Sequence, residues 1–225
     1  MQNPPEGQPV ISSVPPPSPP PAYPADLKID CPEKPLSRLT TFFRIWVAIP
    51  ILIIMALLTG PTYRWQQDDS RWVSEAAGIA IVFLPVVLLL LFRQKYPKWW
   101  YDWNLAFTKF DLRVGSYLLL LRDEYPSTDE EQAVHVYLPY PDAKLLNRWL
   151  PLVKWFLAIP HYIILAALGI AAFVVVIIAW FAILFTSKYP RSLFDFVVGV
   201  NRWGLRVNAY AFLLTTDKYP PFSLS

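Results

Sequence analysis

The stretch LSRLTTFFRIWVAIPILIIMALL, residues 36–58, returns later in the chain as LNRWLPLVKWFLAIPHYIILAAL, residues 146–168. A second matched pair follows in the same order, KYPKWWYDWN from Lys95 and KYPRSLFDFV from Lys188. Two matched blocks in one order indicate a duplicated structural unit. We therefore predict a Pro-rich tail at residues 1–26, a first repeat at 27–130 and a second repeat at 131–225.

The composition is that of a membrane protein. Hydrophobic residues make up 55% of the 225 residues and charged residues only 16%, whereas charged residues are roughly 25% of soluble domains. Ten Trp and twelve Tyr fit this class, because their rings favour the boundary between lipid and water. The single cysteine, Cys31, excludes an intramolecular disulfide and a cysteine-based metal cluster. No cleavable signal pattern precedes the first apolar segment, so we expect that segment to direct insertion.

The tail carries the run VPPPSPPPAYP, residues 14–24. Such a run favours disorder or polyproline II structure in water. Residues 20–23 also match the PPxY pattern that WW-type modules bind. The tail is therefore either a spacer or a docking segment.

Four apolar segments predict an all-α integral membrane fold with transmembrane helices at about 42–60, 76–92, 150–170 and 171–187. The linker between the first two carries five charged residues between Arg64 and Glu75 and must reach water. The second pair has no such linker, so it either crosses fully or forms a shallow hairpin. Each pair is expected to be followed by an amphipathic helix at the cytoplasmic face, at about 98–121 and 191–214.

The cations predict the orientation. In a four-span topology, the clusters that flank the spans all lie on one side of the bilayer, which the positive-inside rule assigns to the cytoplasm. Both termini are then cytoplasmic and the two repeats run parallel. The clusters are Lys34, Arg38 and Arg44; Arg93, Lys95 and Lys98; Lys144, Arg148 and Lys154; Lys188 and Arg191.

One acid and three cations recur at matched positions on the two amphipathic helices, within a stripe about 60° wide. This stripe has three interpretations: an interfacial helix with cations among lipid phosphates, an anion or headgroup site formed by two facing stripes, or structural ion pairs. The residues are Arg191, Asp195, Arg202 and Arg206 in the second repeat and Lys98, Asp102, Lys109 and Arg113 in the first.

Two further features are predicted. Alternating residues at 27–35 and 134–141 favour short β segments before spans one and three, which could pair with each other. His161 lies inside span three, where the first repeat has Ile51. An ionisable residue at membrane depth is either functional or satisfied by a local hydrogen bond.

The usual catalytic patterns are absent from the sequence. It contains no GxxxxGK loop, HExxH or GxSxG motif, and no set of His, Asp and Glu within the spans. We therefore expect a protein that is not an enzyme, without cofactor or metal.

From AIPHY at Ala158 to TDKYPPFSL at its end, the second repeat resembles the bacterial membrane family catalogued as domain of unknown function 4389. The resemblance covers YPR-x-LFDF and the Arg202-Trp203 pair. The first repeat looks like a divergent copy, with KWWYDW in place of RSLFDF and Lys109-Phe110 in place of Arg-Trp. The resemblance implies an envelope location and no defined activity.

Three functions remain. The first is a non-enzymatic accessory or scaffold protein of the cytoplasmic membrane, the second an anionic-lipid-binding or membrane-shaping protein, and the third a small oligomeric channel or transporter. The expected partners are the lipid bilayer and either other membrane proteins or a second copy of the chain, with no nucleic acid.

Overall fold

A computed structural model describes residues 23–32, 34–59, 84–128 and 130–225. The predicted Pro-rich tail up to residue 22 and the charged linker of the first repeat lie outside these ranges. Six helices and a two-stranded sheet form the described part: β1 (Asp26–Ile29), α1 (Arg38–Thr59), α2 (Leu84–Arg93), α3 (Lys98–Leu118), β2 (Val134–Tyr137), α4 (Leu150–Leu157), α5 (Ile159–Thr186) and α6 (Arg191–Ala211).

The short β segments predicted from the alternating residues are confirmed. β1 and β2 pair antiparallel, with Asp26 opposite Tyr137 and Ile29 opposite Val134. Leu27 is fully buried and packs in one cluster with residues of α5 and α6. The sheet therefore joins the segment that precedes α1 to the segment that precedes α4.

α1 and α4–α5 bury the same narrow stripe of positions. In α1 the buried residues are Thr41, Arg44, Ala48 and Ile51. At the matched positions from α4 into the start of α5 they are Pro151, Lys154, Ala158 and His161, and further along α5 Ala172, Ala179 and Ile183 are also buried. The spacing of three or four residues is that of one helix face. The other faces of both helices expose large apolar side chains, among them Phe42, Trp46, Phe156, Phe173 and Phe185.

Two helices are long and apolar enough to cross a bilayer, Arg38–Leu57 with a mean hydropathy of 2.1 and Ile159–Thr186 with 3.0. Only 22% and 11% of the residues in their most apolar windows are buried, whereas a core helix of a soluble protein is mostly buried. Helices that are apolar on all sides and exposed suggest a membrane protein.

The predicted division of residues 150–187 into two spans near Gly169 is wrong. α5 runs without a break from Ile159 to Thr186, and the chain turns instead at Ser187, whose φ is 57°. Nothing near Gly169 ends a helix: the neighbouring residues are apolar, and no proline lies among them. The only interruption is at Ala158, where α4 ends and Pro160 enters the first turn of α5.

α3 and α6 begin directly after the two Tyr-Pro pairs, at Pro97 and Pro190. Proline is favoured at the start of a helix, because the first N–H groups have no partner within the helix and the N–H that proline lacks is not missed there. Both helices end before a leucine in the left-handed region, Leu120 with φ 64° and Leu214 with φ 55°. The helices therefore finish earlier than the apolar pattern alone indicates.

Among α4, α5 and α6, α6 is the most enclosed helix. Its first half packs on Ala179 and Ile183 near the end of α5, and its second half packs around Ala158 at the beginning of α5. The two helices are thus antiparallel along most of their length. β1 covers another face of α6, and Leu224 closes over Gly199, where an added Cβ would meet the Leu224 carbonyl oxygen at 2.8 Å.

Candidate functional site

The four stripe residues of α6 separate into an outer and an inner pair. Arg191 and Asp195 form an exposed ion pair of 3.4 Å at the start of the helix. Arg202 Nε donates to the Leu27 carbonyl at 2.8 Å and lies 3.1 Å from Asp26 Oδ1. Arg206 approaches the same carboxylate at 3.4 Å. The inner pair therefore fastens β1 to α6.

The stripe of α3 is placed differently. Lys98 and Asp102 are exposed and Lys109 is half-buried. Arg113 donates to the Ser127 carbonyl at 2.7 Å. In the part of the chain that the structure describes, no hydrogen bond or ion pair joins the α3 stripe to the α6 stripe. The α3 stripe contacts the segment that follows its own helix, whereas the inner pair of the α6 stripe contacts β1, far away in the sequence.

Arg44 forms a buried contact set that sequence reasoning missed. Its side chain is 3% exposed and forms an ion pair with Asp123. The guanidinium also donates to the carbonyls of Tyr117 and Arg122, and it lies 4.5 Å from the centre of the Tyr117 ring. Asp123 in turn accepts a hydrogen bond of 2.7 Å from the Ser37 N–H. We call this set the Arg44 clamp.

A similar arrangement surrounds Lys154 of α4. Its side chain is 1% exposed, and Nζ lies 2.8 Å from Asp217 and donates to the Thr216 carbonyl at 2.7 Å. Nζ also lies 5.0 Å from the centre of the Tyr210 ring. Asp217 accepts a hydrogen bond of 2.7 Å from the Asn147 N–H. This set is the Lys154 clamp.

The two clamps share their main contacts. Each joins a cation on an apolar helix, a tyrosine near the end of the helix that follows a Tyr-Pro pair, α3 or α6, and the aspartate of a D-x-Y-P ending. The tyrosine of that ending packs edge-on against the clamp tyrosine, with a centroid distance of 5.7 Å in both Tyr117–Tyr125 and Tyr210–Tyr219. The sequence carries a signal for these sets, because their residues occupy matched places in the two corresponding parts of the chain. The flanking cations and the D-x-Y-P endings, taken separately, predict only orientation and the ends of helices.

Apart from Asn147, the Lys154 clamp lies within one recognised sequence unit, together with all of α4 to α6. Residues 149–223 match the family model described as Domain of unknown function (DUF4389). The match supports the predicted relationship to that family. No curated protein matches the chain, and no solved structure matches it.

His161 lies in an aromatic enclosure of the DUF4389 region. It is fully buried, and its Nδ1 accepts a hydrogen bond of 3.1 Å from Trp203 Nε1. The Phe222 ring stacks on the imidazole at 4.1 Å, and the Tyr219 ring lies at 4.9 Å. The other ring nitrogen, Nε2, is buried with no hydrogen-bond partner. The enclosure joins α5, α6 and the D-x-Y-P ending of the DUF4389 region.

Buried tyrosines hold the connecting segments. The Tyr96 hydroxyl donates to the Leu213 carbonyl at 2.8 Å, and burial raises the pKa of Tyr96, so that the phenol stays protonated and keeps donating. Tyr189, which follows α5 at the matched place, has its pKa raised to about 12 by burial.

Within the described ranges, no group of three or more His, Cys, Asp or Glu is placed to hold a metal ion.

Proposed function

We propose that the protein is a non-enzymatic accessory or scaffold protein of the bacterial cytoplasmic membrane. The observation that carries the proposal is how charged and apolar groups are distributed. The buried cations Arg44, Lys154 and Arg206 make contacts within the protein's own fold. The exposed surfaces of α1, α4 and α5 consist of large apolar side chains. Such a surface fits acyl chains and partner helices, whereas a catalytic site needs positioned polar groups.

The protein contains, in this proposal, two tandem copies of the same unit, of which residues 27–130 are the divergent one. The matched clamps support this duplication. So do two reciprocal contacts between the halves: Arg38 Nε donates to Ser187 Oγ, and Arg148 Nη2 donates to Gln94 Oε1, each at 2.7 Å. Exchanging the halves converts one contact into the other, as an approximate twofold relationship requires.

Residues near the two ends of the described chain share one side of the membrane. Tyr23 donates to the Lys218 carbonyl at 2.8 Å, and Arg206 contacts Asp26. Segments in direct contact cannot be separated by a bilayer. The proposed side is the cytoplasm, because cations concentrate in the flanks of the apolar helices.

α4 and α5 lie, in this proposal, along the cytoplasmic boundary, beneath α6 and the sheet. α6 follows α5 along most of its length, and it carries Arg202 and Arg206 paired with Asp26. If α5 crossed upright, these charges would lie at hydrocarbon depth, at a cost of several kcal/mol for each charge. An in-plane α5 instead keeps its apolar faces among acyl chains and the polar layer in water.

The scaffold role is tested by purifying the protein from native membranes after cross-linking. We expect a protein partner in fixed stoichiometry, which is lost when exposed side chains at matched positions, Trp46 and Phe156, are changed to alanine. Ser192→Ala, at an exposed polar position of α6, is the control and should keep the partner. Recovery of lipid and the chain alone, unchanged by Trp46→Ala with Phe156→Ala, contradicts the scaffold role.

A further inference from the structure

A groove with a volume of about 690 Å³ lies between the end of α2 and the segment that leads from β2 to α4. Its walls are Leu89, residues 93–97 and residues 140–144. Three cations line it, namely Arg93, Lys95 and Lys144, and Asp142 is the single acid. We call it the cationic groove. Its lining carries a net charge of +2, as three cations minus one acid.

The three cations are available to a ligand. In the described residues, none of them forms an ion pair with an acidic side chain. Asp142 does not neutralise them, because one carboxylate offsets only one of the three positive charges. One of its oxygens also accepts the main-chain N–H of Lys144 at 3.0 Å. An anion that enters the groove would therefore meet cationic groups that the fold itself does not use.

The matched segment of the first repeat forms a pocket of opposite charge. That pocket, of about 450 Å³, is lined by Lys34 and Arg122 but also by Asp30, Asp123 and Glu124. Lys34 holds the place in the first repeat that Lys144 holds in the second. The duplication therefore kept the lysine while the surroundings diverged, and only the groove beside α2 has an excess of positive charge.

The cationic groove also borders the exposed apolar surface. Leu89 belongs to its wall, and Leu88 and Phe92 of the same helix are exposed, Phe92 to 73%. Trp99 and Trp149, each 69% exposed, belong to the chain segments that continue from its two walls. Exposed tryptophans beside cations mark the level of lipid headgroups. A soluble anion has no apolar part that would contact this side of the groove, whereas a lipid has acyl chains.

We propose that the cationic groove binds the phosphate-bearing headgroup of an anionic phospholipid, with the acyl chains along α2. Arg93, Lys95 and Lys144 surround the phosphate. The inference rests on the proposed membrane location but not on the scaffold role. Neither Arg93 nor Lys144 belongs to the α3 and α6 stripes, and the groove is separate from both clamps.

The test is native mass spectrometry of the full chain in detergent, titrated with phosphatidylglycerol or with phosphatidylcholine. We expect Arg93→Gln with Lys144→Gln to weaken phosphatidylglycerol binding by roughly tenfold or more, and binding of phosphatidylcholine to stay unchanged. Lys34→Gln is the matched control and should leave both lipids bound as before. Equal losses in the control and in the double variant, or equal retention of both lipids by the unaltered protein, overturn the proposal.

A second arm separates lipid from free phosphate. Glycerol 1-phosphate carries the same phosphate ester without acyl chains, and we expect it to leave bound phosphatidylglycerol in place at millimolar concentration. Displacement by glycerol 1-phosphate assigns the groove to soluble phosphate esters and overturns the lipid assignment. A variant that no longer binds lipid in the groove should still be cross-linked to its protein partner. Failure of the lipid proposal is therefore distinguishable from failure of the scaffold proposal.

Discussion

Arg44 and Lys154 show how an apolar helix can bury a cation. A buried charge is costly unless an opposite charge and several hydrogen-bond acceptors accompany it. Both residues meet this requirement with an aspartate, main-chain carbonyls and the face of a tyrosine ring. The acids come from endings far along the chain, since Arg44 and Asp123 are 79 residues apart. The clamps therefore fix the segment after α3 to α1 and the segment after α6 to α4.

Removing one member of a clamp should destabilise the protein strongly. We expect Asp217→Ala to lower the free energy of unfolding by about 3 kcal/mol, because Lys154 is left buried without its counterion. Asp123→Ala should have a similar effect. Denaturant titration in detergent, followed by near-ultraviolet circular dichroism, measures the change.

The exposed pair on α6 supplies the control for the clamp variants. Arg191 and Asp195 have side chains that are 70% and 60% exposed, so Asp195→Ala should change the free energy of unfolding by less than about 1 kcal/mol. The double change Lys154→Met with Asp217→Asn should recover much of the loss, since it removes the uncompensated charge. Equal effects of Asp217→Ala and Asp195→Ala are the result that refutes a structural clamp.

At the scale of the elements, the sequence predicted where helices begin better than where they end. Pro97 and Pro190 predict the starts of α3 and α6, because proline is favoured where a helix begins. The break predicted near Gly169 rests on segment length and on the match to the first pair of apolar segments, and it takes each apolar segment for a separate helix. Residues 150–186 would form about 55 Å of helix, far beyond a core of roughly 30 Å. Length alone cannot distinguish two crossings from one helix along the boundary.

Two glycines distinguish a continuous α5 from a turn. An added Cβ at Gly169 meets nothing within 4 Å, and Gly169 is inside the helix. We therefore expect Gly169→Ala to raise the free energy of unfolding, by up to about 1 kcal/mol. If residue 169 occupied a tight turn instead, alanine there would lower stability.

Gly199→Ala is the matched comparison on α6. Its Cβ would lie 2.9 Å from the Leu224 Cβ and 2.8 Å from the Leu224 carbonyl oxygen, so the closing segment must move away. We expect a loss of about 1 to 3 kcal/mol, measured by the same denaturant titration. Opposite signs for the two substitutions support the continuous helix; a loss for both contradicts it.

At the scale of the whole molecule, the correspondence between the two parts of the chain could be read from the sequence, whereas the contacts between them could not. The matched blocks are visible along the chain. The pairing of Arg38 with Ser187 and of Arg148 with Gln94 depends instead on how the halves meet. The stripe residues illustrate the same limit. The sequence predicts their positions on one helix face, but it does not predict that Arg202 and Arg206 form ion pairs with Asp26, which lies on a strand far away in the sequence.

The placement of α4 and α5 leads to a test of the whole architecture. Leu145, 83% exposed, precedes α4, and exposed Lys188 follows α5, so these positions mark the two ends of the helical stretch. We expect Leu145→Cys and Lys188→Cys, each in a Cys31→Ser background, to react with a membrane-impermeant maleimide from the cytoplasmic side. In inside-out vesicles both should be labelled, and in right-side-out vesicles neither should be, with the Cys31→Ser protein as the unlabelled reference. Labelling of the two positions from opposite sides would show that the stretch crosses the bilayer. The charges along α6 would then need a protein-lined interior, such as one formed between copies of the chain, because lipid cannot accommodate them.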